Sequence, residues 1–157
     1  MKIYTLKQTC LLRTSPEKAW DFFSAPENLA LITPQKMCFR IEYNSAGDRM
    51  YAGQLIRYTL SIFPGLRTNW LTEITHVHEP MYFIDEQRFG PYSLWHHQHH
   101  FKPVAEGVEM TDIVNYALPL GIFGRLARLL FVERELNAIF EYRSKAVARY
   151  FPNRDSA

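Results

Sequence analysis

The feature that most constrains this chain is a change of hydrophobic period at Gly121. Before it, short stretches alternate apolar and polar residues at every second position, as half-buried strands do; after it, apolar residues recur at a spacing of 3.6. From Gly121 to Tyr150, Ile122, Leu129, Val132, Leu136, Ile139, Phe140, Val147 and Tyr150 fall within one stripe. The pattern predicts a single helix of about 30 residues, roughly 45 Å long. Such a helix is too long to cover an ordinary sheet, so the strands are expected to wrap around it. The expected fold class is α+β: a curved seven-stranded antiparallel sheet, two short helices and a long C-terminal helix that together enclose a cavity.

The strands read as follows. Residues 3–14 alternate, with Tyr4, Leu6, Cys10 and Leu12 on one face. Ser15 is placed as an N-cap with Pro16 at the first helical position, opening a short helix through Trp20 to Phe23; Pro26-Glu27-Asn28 opens a second, stopped before Pro34. Further strands are expected at 37–43, 50–62, 66–77, 81–86, 93–102 and 109–118, with Ile56, Tyr58, Leu60, Trp70, Thr72 and Ile74 inward. Ser45-Ala46-Gly47-Asp48, Phe63-Pro64-Gly65, Glu79-Pro80, Gly90-Pro91 and Glu106-Gly107 supply the turn chemistry between them.

Composition narrows the function classes. At 157 residues one domain is expected, spanning 1–157 with an ordered core of about 2–151. Aromatic residues make up 15%, more ring area than a minimal core needs. The net charge of +2 comes from 18 basic and 16 acidic residues with no polybasic run, so nucleic acid is not an expected partner. No apolar run reaches the roughly 20 residues of a membrane span and no signal-peptide core follows Met1, so a cytoplasmic protein without stable membrane insertion is expected. Cys10 and Cys38 stand in no CxxC and beside no base, and read as free thiols. No glycine-rich phosphate loop and no GxSxG occurs, and no cofactor is expected.

The polar groups that alternation turns inward carry the chemistry. Trp95, His97, His99 and Phe101 share one face of their strand, leaving His96, Gln98 and His100 outside. Asp112 and Tyr116 share a face on the following strand, and Asp85 and Gln87 on the preceding one, so a polar strip of Asp85, Gln87, His97, His99, Asp112 and Tyr116 is expected. Buried carboxylates need partners, and the two histidines are the nearest. Arg143 projects into the apolar stripe of the helix, either bridging Glu42, Asp85 or Asp112 or presenting a fork to a ligand anion. Tyr58, Trp70, Trp95, Phe101, Tyr116, Leu136 and Phe140 are expected to supply the lining.

Three readings of the strip follow: a purely structural or ligand-orienting network, a His/Asp acid–base set built from His97, His99 and Asp112, or a metal site from His97, His99 and Asp112. His-x-His alone is a weak metal signal, and no metal is the leading expectation. The Gly121-Ile122-Phe123-Gly124 segment and the 60–66 hairpin tip are candidate gates. Exposed tip residues Ile62 and Phe63 leave room for a protein partner of unknown identity or for transient docking.

The order of elements, with the Ser15-Pro16-Glu17-Lys18-Ala19-Trp20-Asp21-Phe22-Phe23 opening helix, resembles the START-like helix-grip superfamily (SRPBCC). Phe89-Gly90-Pro91-Tyr92 leading into Trp95-His96-His97-Gln98-His99-His100-Phe101, and Phe140-Glu141-Tyr142-Arg143, resemble a small stand-alone bacterial branch of it. The resemblance implies a helix-grip fold and a cavity for a small hydrophobic or amphipathic ligand: a lipid, an isoprenoid or a polyketide-like molecule. Members include carriers and polyketide cyclase/dehydratase enzymes, so it implies binding without selecting turnover. The expected function is non-catalytic binding. A cyclase/dehydratase using a His/Asp pair, and an interaction module with a vestigial cavity, are the alternatives.

Overall fold

The structure, a computed structural model, describes residues 1–45, 49–63 and 66–152, apart from the side chains of Phe63 and Arg125. The expected turn residues 46–48 and 64–65 lie outside the described residues, as does the tail from 153 onward. Strand β1 (Tyr4–Leu12) is followed by α1 (Pro16–Phe23), a 3₁₀ segment (Pro26–Ile32) and a short 3₁₀ turn (Gln35–Met37). Then come β2 (Arg40–Asn44), β3 (Leu55–Phe63), β4 (Leu66–His78), β5 (Tyr82–Phe89), β6 (Leu94–Val104) and β7 (Gly107–Ala117). The seven strands make one antiparallel sheet in the order β1-β7-β6-β5-β4-β3-β2.

Local sequence explains the punctuation. Ser15 caps α1, its Oγ accepting from the Lys18 N–H at 3.4 Å, and Pro16 occupies the first turn where a missing N–H costs nothing. The second expected helix forms, but as a 3₁₀ segment. Strand β2 begins three residues later than alternation suggests, because Gln35–Met37 closes a turn and Cys38 takes a left-handed conformation at φ 47°. Met37 is buried all the same, from the turn rather than from a strand. Bulges interrupt the β4–β5 register at Leu71/Thr72 and Ile74/His76 and help the sheet to curve.

The long helix is one continuous path with a defect. It runs through α2 (Gly121–Ala127), a π turn (Arg128–Val132) and α3 (Glu133–Tyr150). Leu136, Phe140, Ala146 and Val147 of α3 are buried. Ile122 and Leu129, expected in the same buried stripe, are instead 71% and 69% exposed, and Tyr150 is half exposed. An extra residue in the π turn rotates everything before it by about 100° relative to α3. Leu120, Phe123, Leu126, Leu130 and Phe131 also face outward, so the first third of the helix carries an apolar surface.

The core divides at the sheet's inner face. Trp20 and Phe23 of α1 pack on Phe83 and Phe101, with Leu12, Ile74, Val108, Met110, Ala146 and Val147 around them. Leu136 and Phe140 pack on Val114 and Tyr116. Between these clusters and the Leu60–Trp70 group a chamber remains.

Candidate functional site

Strand register assembles the polar wall. Asp85 on β5 lies opposite His97 on β6, and His99 lies opposite Asp112 on β7. Both histidines point inward and are buried, at 4% and 5% exposure. The outward residues form their own ladder: His96 Nδ1 meets Glu86 at 2.9 Å, and Gln98 links His96 to His100.

The inward four close into a compact set. The His97 and His99 rings lie 3.8 Å apart, centre to centre, with a carboxylate oxygen at each side of the pair. Asp112 Oδ1 stands 3.1 Å from His97 Nε2 and 2.8 Å from His99 Nδ1. Asp85 Oδ2 stands 3.0 Å from His99 Nε2 and 3.5 Å from His97 Nδ1. A carboxylate only accepts, so the nitrogens hydrogen-bonded to it, Nε2 of His97 toward Asp112 and Nε2 of His99 toward Asp85, carry protons. His99 Nδ1 is buried and makes no hydrogen bond among the described residues; its short approach to Asp112 is off the bonding direction.

Charge is unevenly distributed in this set. Burial raises the Asp112 carboxyl, but the hydrogen bond from His97 and the close approach and charge of the His99 ring outweigh it and hold Asp112 far below the usual carboxylate range. Asp85 is held down too, burial again being overcome, here by the charge of His97 and the bond from His99. Burial lowers His99, yet the close Asp112 carboxylate and the bond to Asp85 leave its pKa raised, whereas burial and the neighbouring His99 charge leave His97 lowered. Of the two rings, His99 is therefore the one that holds a second proton more readily, and His97 the one whose Nδ1 more readily keeps its lone pair. Such a nitrogen can accept a hydrogen bond or a proton, or bind a metal.

The wall faces a cavity of about 180 Å³. Its lining is mostly apolar: the 3₁₀ segment, Phe39, Tyr58, Leu60, Trp70, Trp95, Leu136 and Phe140, among others, with Asp85, His97, His99 and Arg143 as the charged or titratable members. Trp70 stacks on Tyr58 and meets Trp95 and Tyr92 edge-on, which fixes the aromatic end. The Tyr58 hydroxyl bonds Thr72 Oγ1 at 3.1 Å, and burial, with Asp85 nearby, pushes its pKa well up, so it stays neutral. Arg143 lies with its guanidinium carbon 5.5 Å from the centre of the Phe140 ring, and among the described residues it forms no ion pair. The anticipated bridges are absent there: Glu42 serves Arg40 and Arg67, while Asp85 and Asp112 serve the histidines.

Four expected site residues lie elsewhere. Gln87 turns under the β5–β6 connection, its Nε2 donating to Tyr92 O at 2.7 Å and its Oε1 accepting from Tyr92 N; a Cβ at Gly90 would overlap this amide. Phe101 fills the core beneath α1, and Tyr116 sits behind Trp95 and Tyr92 with its hydroxyl 3.4 Å from Arg128 Nε. Asp112 stands behind the histidines rather than on the cavity surface. Conversely, Tyr92, Phe22, Phe23, Leu29 and Ile139 line the cavity although none of them is in the expected lining set. Of the two gate candidates, Leu60 and Ile62 reach the cavity, whereas 121–124 do not. Cys10 is partly buried, its thiol pushed up to about 11 by burial and by Asp112, and is unreactive; Cys38 is exposed and off any strand. Among the described residues no helix is long and apolar enough to cross a membrane.

No protein-family model and no curated protein matches the chain. Solved structures do. A structural-genomics protein from Chromobacterium violaceum superposes with a TM-score of 0.73 at 14% identity, covering 96% of this chain and 99% of that one. A protein from Thermus thermophilus gives 0.64 at 18%, covering 96% and 100%. The ginseng major latex-like protein 151 from Panax ginseng gives 0.69 at 11%, covering 96% and 99%. Likeness over whole chains at such low identity is likeness of fold: a curved seven-stranded antiparallel sheet gripping a C-terminal helix, the helix-grip fold.

Proposed function

We propose that this protein is a cytoplasmic, non-catalytic binding module of the START-like (SRPBCC) kind, and that its ligand is a small amphipathic molecule with one aromatic ring and an anionic end. The observation that carries this reading is Arg143, a cation on the cavity surface without an ion-pair partner among the described residues. A half-buried guanidinium is costly unless an anion meets it. Phe140 beside it, with Leu136 and Trp95 of the same cavity, supplies apolar walls.

Volume limits the ligand class. Cavities of about 150 Å³ hold benzene, and drug-sized pockets run roughly 300–1,000 Å³. At about 180 Å³ the chamber suits one substituted ring; a full lipid tail or a folded polyketide needs it to open further. Denaturing mass spectrometry of gently purified protein is expected to release a ring-bearing acid. If nothing co-purifies and no apolar probe competes for the interior, the reading fails.

A second reading, a cyclase- or dehydratase-like enzyme, draws on His97. Its Nε2–H donates to Asp112, which fixes the tautomer and leaves Nδ1 as a base. The cheapest discriminator is deuterium uptake at the α-carbons of 4-phenyl-2-butanone in heavy water. Exchange that depends on His97 supports turnover, and exchange at the buffer rate leaves binding alone.

A further inference from the structure

We propose that His97 Nδ1, His99 Nε2 and Asp85 Oδ2 form a site for a divalent first-row transition-metal ion, with Asp112 behind them orienting both imidazoles. The proposal does not rest on the small-molecule reading, since it concerns the polar wall alone.

Three observations converge on it. Asp85, His97 and His99 each offer a ligand atom, and these atoms all lie within 4.8 Å of one another. Ligands held 2.0–2.1 Å from a tetrahedral ion sit roughly 3.3 Å apart. Asp85 Oδ2 lies 3.0 Å from His99 Nε2 and 3.5 Å from His97 Nδ1, on either side of that value. Both separations from Asp85 Oδ2 therefore suit an ion.

The second carboxylate is placed as an orienting partner. A metal-bound imidazole almost always donates its other N–H to an acceptor, commonly a carboxylate, which fixes the tautomer and ring angle. Asp112 Oδ1 faces the other nitrogen of both rings, at 3.1 Å from His97 Nε2 and 2.8 Å from His99 Nδ1. One oxygen thus serves two ligands. His99 Nδ1, buried without a hydrogen bond, gains a role in this state: metal displaces the proton on Nε2, the proton on Nδ1 stays, and Asp112 is the acceptor within reach.

Access and charge agree with this division of labour. Asp85, His97 and His99 border the cavity, whereas Asp112 does not, so the ion's remaining coordination positions open onto the chamber. Two buried carboxylates balance a dication, and the proton that His99 otherwise carries is released on binding. Two histidines and one carboxylate with open positions suit zinc or ferrous iron better than calcium or magnesium, which take oxygen ligands.

The test is titration of metal-stripped, full-length protein with Zn²⁺ by calorimetry. One equivalent per chain is expected. Asp85→Asn should weaken binding at least about 100-fold and Asp112→Asn about 10- to 100-fold. His96→Gln and His100→Gln, on the outer ladder, should leave it unchanged. Because the buried variants can lose fold, the wild-type protein supplies an independent readout by imidazole ¹⁵N NMR. Zn²⁺ should shift His97 Nδ1 and His99 Nε2 while His97 Nε2 and His99 Nδ1 remain protonated. Substoichiometric binding, affinity that survives Asp85→Asn in a folded variant, or first perturbation of His76, His96 or His100 overturns the proposal. The mass-spectrometric test of the organic ligand, run on metal-stripped protein, is unaffected by either outcome.

Discussion

Asp112→Ala is expected to destabilise the protein by about 3–5 kcal/mol, the usual cost of removing one partner of a buried charge network. That is a large part of the roughly 5–15 kcal/mol of a typical domain. Asp112 is buried and accepts from His97, and its oxygen also stands closest to the His99 ring, so truncation leaves two imidazoles facing an empty space. Denaturant midpoints at constant slope measure the loss. In Asp112→Asn, which keeps the volume, the His99 pKa should fall toward or below its ordinary value, because the carboxylate that raises it has gone.

The same network sets the pH dependence of stability. Asp85 and Asp112 have depressed carboxyl groups, so their contribution is present above the unfolded carboxylate pKa of about 3.9 and is lost as pH falls below it. His97 has a lowered pKa, and the unfolded chain binds its proton more readily, so stability also drops as pH falls below about 6.5. His99 acts in the opposite sense. Its pKa is raised, and its contribution is complete below about 6.5 and disappears as pH rises through the folded value. Stability should therefore peak near neutrality, and Asp112→Asn should flatten the alkaline flank, where the raised His99 acts.

Arg143→Met is expected to reduce affinity for 3-phenylpropionate by roughly 10- to 150-fold, matching the roughly 1.5–3 kcal/mol of a hydrogen bond to a charged group. Affinity for the neutral amide of the same acid should change little. Stability should rise slightly or stay level, because methionine fills the stripe between Phe140 and Val147 without a cation to solvate. This opposition is diagnostic. A residue kept only for structure would lose stability on removal, whereas a ligand anchor loses affinity and leaves the fold intact. Equal losses for acid and amide would assign Arg143 to packing.

Much of this was legible in the sequence because it depends on periodicity. Alternation with period two placed Trp95, His97 and His99 inward and His96, Gln98 and His100 outward, and the change of period placed α3 and its buried Leu136, Phe140 and Val147. Asp85 and Asp112 followed from the same phase argument, and register then brought them to the histidines. What escaped the pattern has local causes. A π turn carries no simple residue signature, so the outward rotation of Ile122 and Leu129 was invisible to a stripe drawn at 3.6. Gln87 shares the phase of Asp85, but alternation cannot say that its amide serves the Tyr92 backbone. Phe101 and Tyr116 face inward as read; which inward residues fill the core and which line a void depends on where α1 and α3 dock. That Arg143 forms no ion pair among the described residues could not be read either, since it depends on Asp85 and Asp112 being engaged by the histidines.

In the proposed function the ligand lies inside the sheet, against the polar wall, and not on the apolar surface at the start of the long helix. Isotope-filtered NMR on ¹³C-methyl-labelled protein with unlabelled 3-phenylpropionate separates the two places. Ring protons of the bound probe are expected to give nuclear Overhauser contacts to the methyls of Ile56, Leu60 and Leu136, all of which border the cavity. Contacts only to Ile122, Leu126 and Leu129, which are exposed on the helix surface, would contradict the account.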